Sequence, residues 1–410
     1  MTHVRHLYVH LPFCAHRCGY CDFVTAVGRE RQHGAYVGAL LAELELERGQ
    51  LAPQLETVFL GGGTPTFTEP TALERLLAAL PAAREVTVEA NPETVTPTLA
   101  RSLRSHGVTR VSLGVQSFQP GLLAVLERRA SPDAVRAAFH TLRDAGFDNI
   151  SLDLLYGLPG QTAADLDADL AEALALAPEH LSCYELEAKP GTRFAHAWGD
   201  ELARQQEALE GLFERVVDTL AGAGYRWYET ANFCLAGERA GGRDLRAQHN
   251  LAYWRGADYL GLGMGAVSTV AGARWRNLPG LRAYLRALSA GSRPPRTVEP
   301  LDAETQARER LMLGLRLDEP LALDRRLEQA VDPDALRRLR ALGFVELEGA
   351  ATAALRATRK GASAARGADA SALDHADAGA SATVAPAQTA LRLTRRGRFV
   401  GGGVTAELLA

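Results

Sequence analysis

A partial (β/α) barrel of six units, followed by a small, mainly helical second domain, is the α/β fold that this 410-residue sequence predicts. Two observations carry the barrel. β-rich runs alternate with Ala/Leu-rich stretches of helical period along the first half of the chain, and parallel strands need such crossovers. The runs are apolar almost throughout, as strands covered on both faces are. A third observation separates the second domain: the composition changes from about residue 300. An open doubly wound sheet satisfies the same periodicity, and spacing alone leaves that alternative standing.

Strands are expected at LYVHL (7–11), TVFLG (57–61), EVTVEA (85–90), RVSLGVQ (110–116), ISLDLLYG (150–157) and HLSCYELE (180–187). Helices are expected between them at 35–48, 71–80, 97–105, 132–145 and 163–176. A long helix at 200–222 and a strand-like YRWYETANF (225–233) complete a barrel domain over 1–235. Residues 236–300 form an extension that carries HNLAYW (249–254). Helical patterns at 304–317 and 333–349, joined by the end of the chain at 389–410, make up the second domain, for which a winged-helix-like shape is one form. Residues 350–388 are built mostly from Ala, Gly, Ser, Asp and Thr. Such a stretch cannot bury a core, so it reads as a disordered insertion.

Composition excludes some functions. A net charge of −4 gives no electrostatic support for nucleic-acid binding. The start MTHVRHLYVH has no apolar signal-peptide core, and no uninterrupted apolar run reaches membrane-spanning length. Five cysteines, an odd number, fit a disulfide framework poorly. The chain reads as cytoplasmic, with thiols available for metal.

Cys14, Cys18 and Cys21 form C-x3-C-x2-C directly after the first expected strand. A loop of that length can wrap a cubane and give one thiolate to each of three irons, leaving the fourth open. A structural zinc ion takes four closed ligands, and His10 or His16 could supply the fourth, so zinc remains the alternative. GGGTP (61–65) ends the second strand, where glycines let the backbone approach a ligand closely. It lacks the Gly-Lys-Ser/Thr of a phosphate-cradling loop. Glu89 and Gln116 end the third and fourth strands and Asp153 lies in the fifth. Those are the strand ends at which barrels collect chemistry. Cys183 and Cys234 have no ligand-like spacing and read as packing residues.

CAHRCGYC resembles the signature of radical S-adenosylmethionine (SAM) proteins. The resemblance implies a radical-SAM barrel and a [4Fe-4S] cluster whose open iron is chelated by SAM. It also implies reductive cleavage of SAM to methionine and a 5′-deoxyadenosyl radical. By the same resemblance Gly62, Gly63, Thr64, Glu89, Gln116, Arg128 and Asp153 contact SAM, with Tyr8 and Tyr20 beside the cluster. LYVHLPFC, FLGGGTPT, EANPETV, GVQSF, DLLYGLPGQT and HNLAYWRGADYLGLGMGA are together similar to one family within that superfamily. It holds oxygen-independent coproporphyrinogen III dehydrogenases and HemW-type heme chaperones, and the likeness runs over about 6–317.

Phe23 stands where the dehydrogenases have a further cysteine, and Tyr8 lies too near the start for their N-terminal extension. Both departures favour the chaperone branch. HNLAYW is similar to that branch's HNxxYW motif, which implies His249 as a ligand of heme iron and Tyr253 and Trp254 against the porphyrin. Val267 occupies a place where the family often has a second histidine. The implied function is a [4Fe-4S]- and SAM-binding heme chaperone that delivers heme to acceptor hemoproteins, respiratory cytochromes among them. An electron donor is implied if SAM is cleaved, and a homodimer is compatible with the resemblance. Radical decarboxylation of coproporphyrinogen III is the alternative.

Overall fold

Six parallel strands run in chain order through the first of two compact units, Met1–Asp302. They are β1 (His6–Leu11), β2 (Leu55–Gly62), β3 (Ala83–Ala90), β4 (Arg110–Gln116), β5 (Ile150–Tyr156) and β6 (His180–Glu185). The structure is a computed structural model and describes residues 3–349 and 389–409. The expected insertion at 350–388 lies outside the described residues.

Helices connect the strands: α1 (His33–Glu47), α2 (Pro70–Ala79), α3 (Pro97–Ser105), α4 (Pro120–Val125), α5 (Pro132–Asp144) and α6 (Ala163–Ala175). Their starts are written locally. Glu69, Thr96, Ser131 and Thr162 cap α2, α3, α5 and α6 by accepting from orphan backbone N–H groups, and proline opens α2, α3 and α5. The short α4 falls within a stretch expected to be loop. The long helix α7 (Arg193–Gly222) starts earlier than its apolar period suggested, where Thr192 caps it.

The sheet has nine strands rather than six. The stretch expected as one strand at 225–233 folds as a hairpin, β7 (Tyr225–Glu229) and β8 (Asn232–Leu235), and β8 pairs antiparallel with β6. At the other edge β9 (Leu260–Leu262) pairs parallel with β1. Residues 236–300 are therefore built into the barrel sheet. They also contain α8 (Gln248–Trp254), α9 (Leu281–Ser289) and a separate three-stranded sheet of β10 (Val267–Val270), β11 (Ala273–Asn277) and β12 (Arg296–Pro300). Buried Glu43 on α1 binds this region. Its carboxylate accepts from Gly263 N at 2.8 Å, Asn277 Nδ2 at 2.7 Å and Tyr284 Oη at 2.7 Å. A carboxylate with three donors tolerates complete burial.

The second unit, Ala303–Ala410, contains the expected helices α10 (Ala303–Gly314) and α12 (Pro333–Ala341), with a further short helix, α11 (Arg325–Ala330), between them. It also contains an antiparallel sheet that the helical pattern did not foretell. β13 (Leu321–Ala322), β14 (Val345–Glu348) and β15 (Ala390–Leu393) lie in the order β13-β15-β14, followed by α13 (Arg395–Phe399) and α14 (Gly401–Leu408). Leu311, Leu339, Val345, Leu391 and Leu408 meet in its core. Residues 345–348 end a helix-like stretch in sequence, but their partner strand lies beyond residue 389.

Candidate functional site

The cysteine loop is closed at its base and clamped from outside. Phe13–Cys14 and Ala26–Val27 form a two-residue parallel ladder, and Ala26 N donates to Pro12 O at 2.7 Å. His16 Nε2 donates to Glu127 O at 2.7 Å, and Phe194 N donates to Gly19 O at 3.2 Å. Arg193 donates to Arg17 O at 3.1 Å and pairs with Glu127. Tyr20 sits edge-on to Phe194 with ring centroids 6.4 Å apart. Cys14, Cys18 and Cys21 are thereby presented to one cavity of about 450 Å³. Burial pushes the Cys14 thiol up to about 11 and raises that of Cys21. Both thiols must shed protons to bind metal.

The strand ends complete the cavity wall. Gly62 has φ +112°, and a Cβ there would lie 2.4 Å from the His10 ring. One on Gly63 would lie 2.6 Å from the Pro12 carbonyl, so only glycine lets this wall approach β1. Thr64 Oγ1 lies 3.6 Å from Cys14 Sγ and accepts from Asn91 Nδ2 at 3.1 Å. Glu89 Oε2 accepts from Gly62 N at 3.1 Å. Gln116 holds φ +70° where the β4–β5 register slips, the kind of strain that persists at functional sites. Arg128 Nη2 donates to Gly114 O at 2.6 Å and Asn91 Oδ1 at 3.1 Å, and its Nη1 lies 4.0 Å from Cys18 Sγ. Asp153 accepts from Ser112 at 3.1 and 3.0 Å. Tyr20, Gly62, Gly63, Thr64, Glu89, Gln116, Arg128 and Asp153 all line the cavity with the three cysteines.

Tyr8 lies deeper, in an adjoining chamber. It is oriented by His10, whose sequence position suggests only a candidate zinc ligand. His10 Nε2 lies 2.8 Å from Val24 O, which can only accept, so Nε2 carries the proton and Nδ1 accepts from Tyr8 Oη at 3.0 Å. With both nitrogens used, His10 is removed as a zinc ligand. Among the described residues no three His, Cys, Asp or Glu side chains converge on a single-ion site. A cubane, which takes one thiolate per iron, sets no such requirement.

Residues 8–173 match the family model described as the radical SAM superfamily. The chain is 37% identical over 331 residues to heme chaperone HemW of Mycobacterium tuberculosis (strain ATCC 25618 / H37Rv), covering 78% of this chain and 83% of that one. It is 35% identical over 322 residues to heme chaperone HemW of Bacillus subtilis (strain 168), covering 75% and 82%. The chain belongs to the HemW family. Its fold matches the solved structure of coproporphyrinogen III oxidase (HemN) from Escherichia coli with TM-score 0.76 at 21% identity, covering 100% of this chain and 91% of that one.

A radical SAM protein binds a [4Fe-4S] cluster and SAM, and the residues of this HemW-family chain fit both. Three thiols face one cavity beside a wall that only glycine permits, and an arginine stands next to a cysteine sulfur. A bound cluster would supply an electron for reductive cleavage of SAM.

His249, Leu251 and Ala252 of the HNLAYW motif are buried. His249 is 1% exposed. Its Nδ1 bonds Thr57 Oγ1 at 2.7 Å and its Nε2 bonds Tyr253 Oη at 2.8 Å, while Phe59 stacks on the ring at 5.1 Å. Burial holds this imidazole down to about 3, so it is neutral. Gln248 N and His249 N both donate to Glu85, and Ala247 N donates to Tyr228 Oη. In this structure both ring nitrogens of His249 are hydrogen-bonded within the fold, and the residue links α8 to β2. Tyr253 is spent on His249 and also packs edge-on to Tyr259 at 4.5 Å. Trp254 remains half-buried. Asn250 is the motif residue that lines the inner chamber, together with Arg110, which in sequence looks like any strand-initial residue.

Glu89 makes stability depend on pH. Burial, and then the charge of Asp153, push its carboxyl from 4.5 up to about 7. The folded ligand-free state therefore holds a proton that the unfolded state releases, and Glu89 costs stability as pH rises from about 4.5 to 7. The full span is roughly 3 kcal/mol. Glu89→Gln is expected to flatten that part of the melting-temperature profile; a profile parallel to wild type refutes the assignment.

Proposed function

We propose that this protein is a heme chaperone. Cys14, Cys18 and Cys21 hold the [4Fe-4S] cluster, and Gly62, Gly63, Thr64, Glu89, Gln116, Arg128 and Asp153 hold SAM, with Tyr8 and Tyr20 at its edges. Bound heme passes to acceptor hemoproteins, respiratory cytochromes being the class in view, and SAM cleavage draws on an external electron donor. The observation that carries the reading is the 37% identity to chains named heme chaperone HemW over 78% of this chain. Phe23 supports it: it lines the cysteine cavity and is 64% exposed, offering an apolar ring where the dehydrogenases have a thiol. The test titrates heme into anaerobically reconstituted protein, adds an apocytochrome, and assays coproporphyrinogen III in parallel. Heme binding and transfer without protoporphyrinogen are expected. Failure to bind heme, or formation of protoporphyrinogen, overturns the reading.

His249→Ala adds a second arm. Loss of the two hydrogen bonds and the ring stack is expected to destabilise the fold by roughly 2–4 kcal/mol. The Soret maximum of bound heme stays in place. A shifted Soret band instead identifies His249 as an iron ligand exposed by movement of α8.

A further inference from the structure

The inner chamber, about 260 Å³, shares Gly62, Glu89 and Asp153 with the cysteine cavity and extends it into the barrel lumen. Its polar equipment is lopsided. Arg110 is 2% exposed, yet its Nη2 donates only to His180 Nδ1 at 3.3 Å, and its buried Nε has no partner. Burial and the same guanidinium keep His180 neutral, so the contact supplies no counter-charge. The acids that face the chamber are engaged elsewhere: Asp153 accepts from Ser112, and Glu89 accepts from Gly62 N. Burial also raises both carboxyls, which reduces the negative charge they show.

Glu85, Glu89 and Asp153 feel the charge of Arg110, yet none accepts a hydrogen bond from it, and a buried guanidinium N–H without an acceptor is costly until a ligand supplies one. Asn250, from α8, lines the same chamber and adds amide donors. α8 is fixed in place by Glu85, Tyr228 and Thr57, so Asn250 is positioned before any ligand arrives. At the outer side Phe23 and Tyr184 line both cavities and are 64% and 40% exposed. Exposed aromatic faces outside and unsatisfied donors inside suit a flat apolar molecule that carries a carboxylate arm.

We propose that the chamber is a carboxylate subsite in which Arg110 and Asn250 receive one propionate of heme while the macrocycle lies against Phe23 and Tyr184. This rests on the heme-chaperone reading. A chamber of 260 Å³ admits the arm and excludes the ring system.

The experiment compares heme with its dimethyl ester, in which the propionates are uncharged and esterified, on cluster-loaded wild type, Asn250→Asp and Phe23→Ala. Arg110 is left intact because its loss threatens the fold. Wild type is expected to bind heme about tenfold more tightly than the ester, the size of a charge-assisted hydrogen bond. Asn250→Asp, whose carboxylate occupies Arg110, is expected to bring that ratio close to one while binding the ester as wild type does. Phe23→Ala weakens both ligands alike. Equal affinity of wild type for heme and ester, or a ratio that survives in Asn250→Asp, overturns the subsite and leaves the chaperone reading intact. Failure of wild type to bind either porphyrin overturns both.

Discussion

Replacing Cys14, Cys18 or Cys21 singly with Ala is expected to abolish cluster iron, sulfide and the broad thiolate-to-iron charge-transfer absorption after anaerobic reconstitution. Each thiolate serves a different iron, so none substitutes for another. Cys183→Ala and Cys234→Ala are expected to keep a full cluster. Both lie buried in β6 and β8, and burial raises the Cys183 thiol far above its ordinary value. Retention of four irons by any one of the loop variants, or stoichiometric zinc without iron in wild type, defeats the assignment.

Arg110→Met is expected to destabilise the barrel strongly. The charge of Arg110 favours the ionised forms of Glu85, Glu89 and Asp153, all of which burial pushes toward neutrality. Without it these buried carboxyls lose the cation that favours their ionised forms, which costs about 3–5 kcal/mol. The sign of the pH dependence separates this cause from simple loss of packing. Removing the cation raises the folded-state carboxyl pKa values further, so the folded state binds protons more tightly than the unfolded one. The deficit should be smallest in acid and widen as pH rises through the carboxyl range. A thermal melt that matches wild type at pH 8, or a deficit independent of pH, removes Arg110 from this role.

Much of the barrel was legible because its signals are local. Apolar runs of five to eight residues, capping residues such as Thr96 and Thr162, and prolines at helix starts act within one or two turns of where they stand. The C-x3-C-x2-C spacing is local too, since one loop must wrap one cluster. The second unit was read less well. Strand β14 follows α12 directly, but it becomes a strand through pairing with Ala390–Leu393, and no pattern at 345–348 announces a partner so distant in sequence.

By itself the sequence determined the order of β/α units, the loop that presents three thiols and the strand ends that surround them. Only the tertiary structure decided what the buried polar groups do. His249 reads in sequence as an available imidazole, and becomes a brace because β2 brings Thr57 to one nitrogen and α8 brings Tyr253 to the other. Arg110 reads as an ordinary strand residue, and becomes a buried cation that acts on Glu85, Glu89 and Asp153 because the flanking strands β3 and β5 carry those acids. Spacing along the chain governs contacts within a loop or a helical turn. The partner of a buried charge is chosen by the register of strands that sequence distance does not reveal.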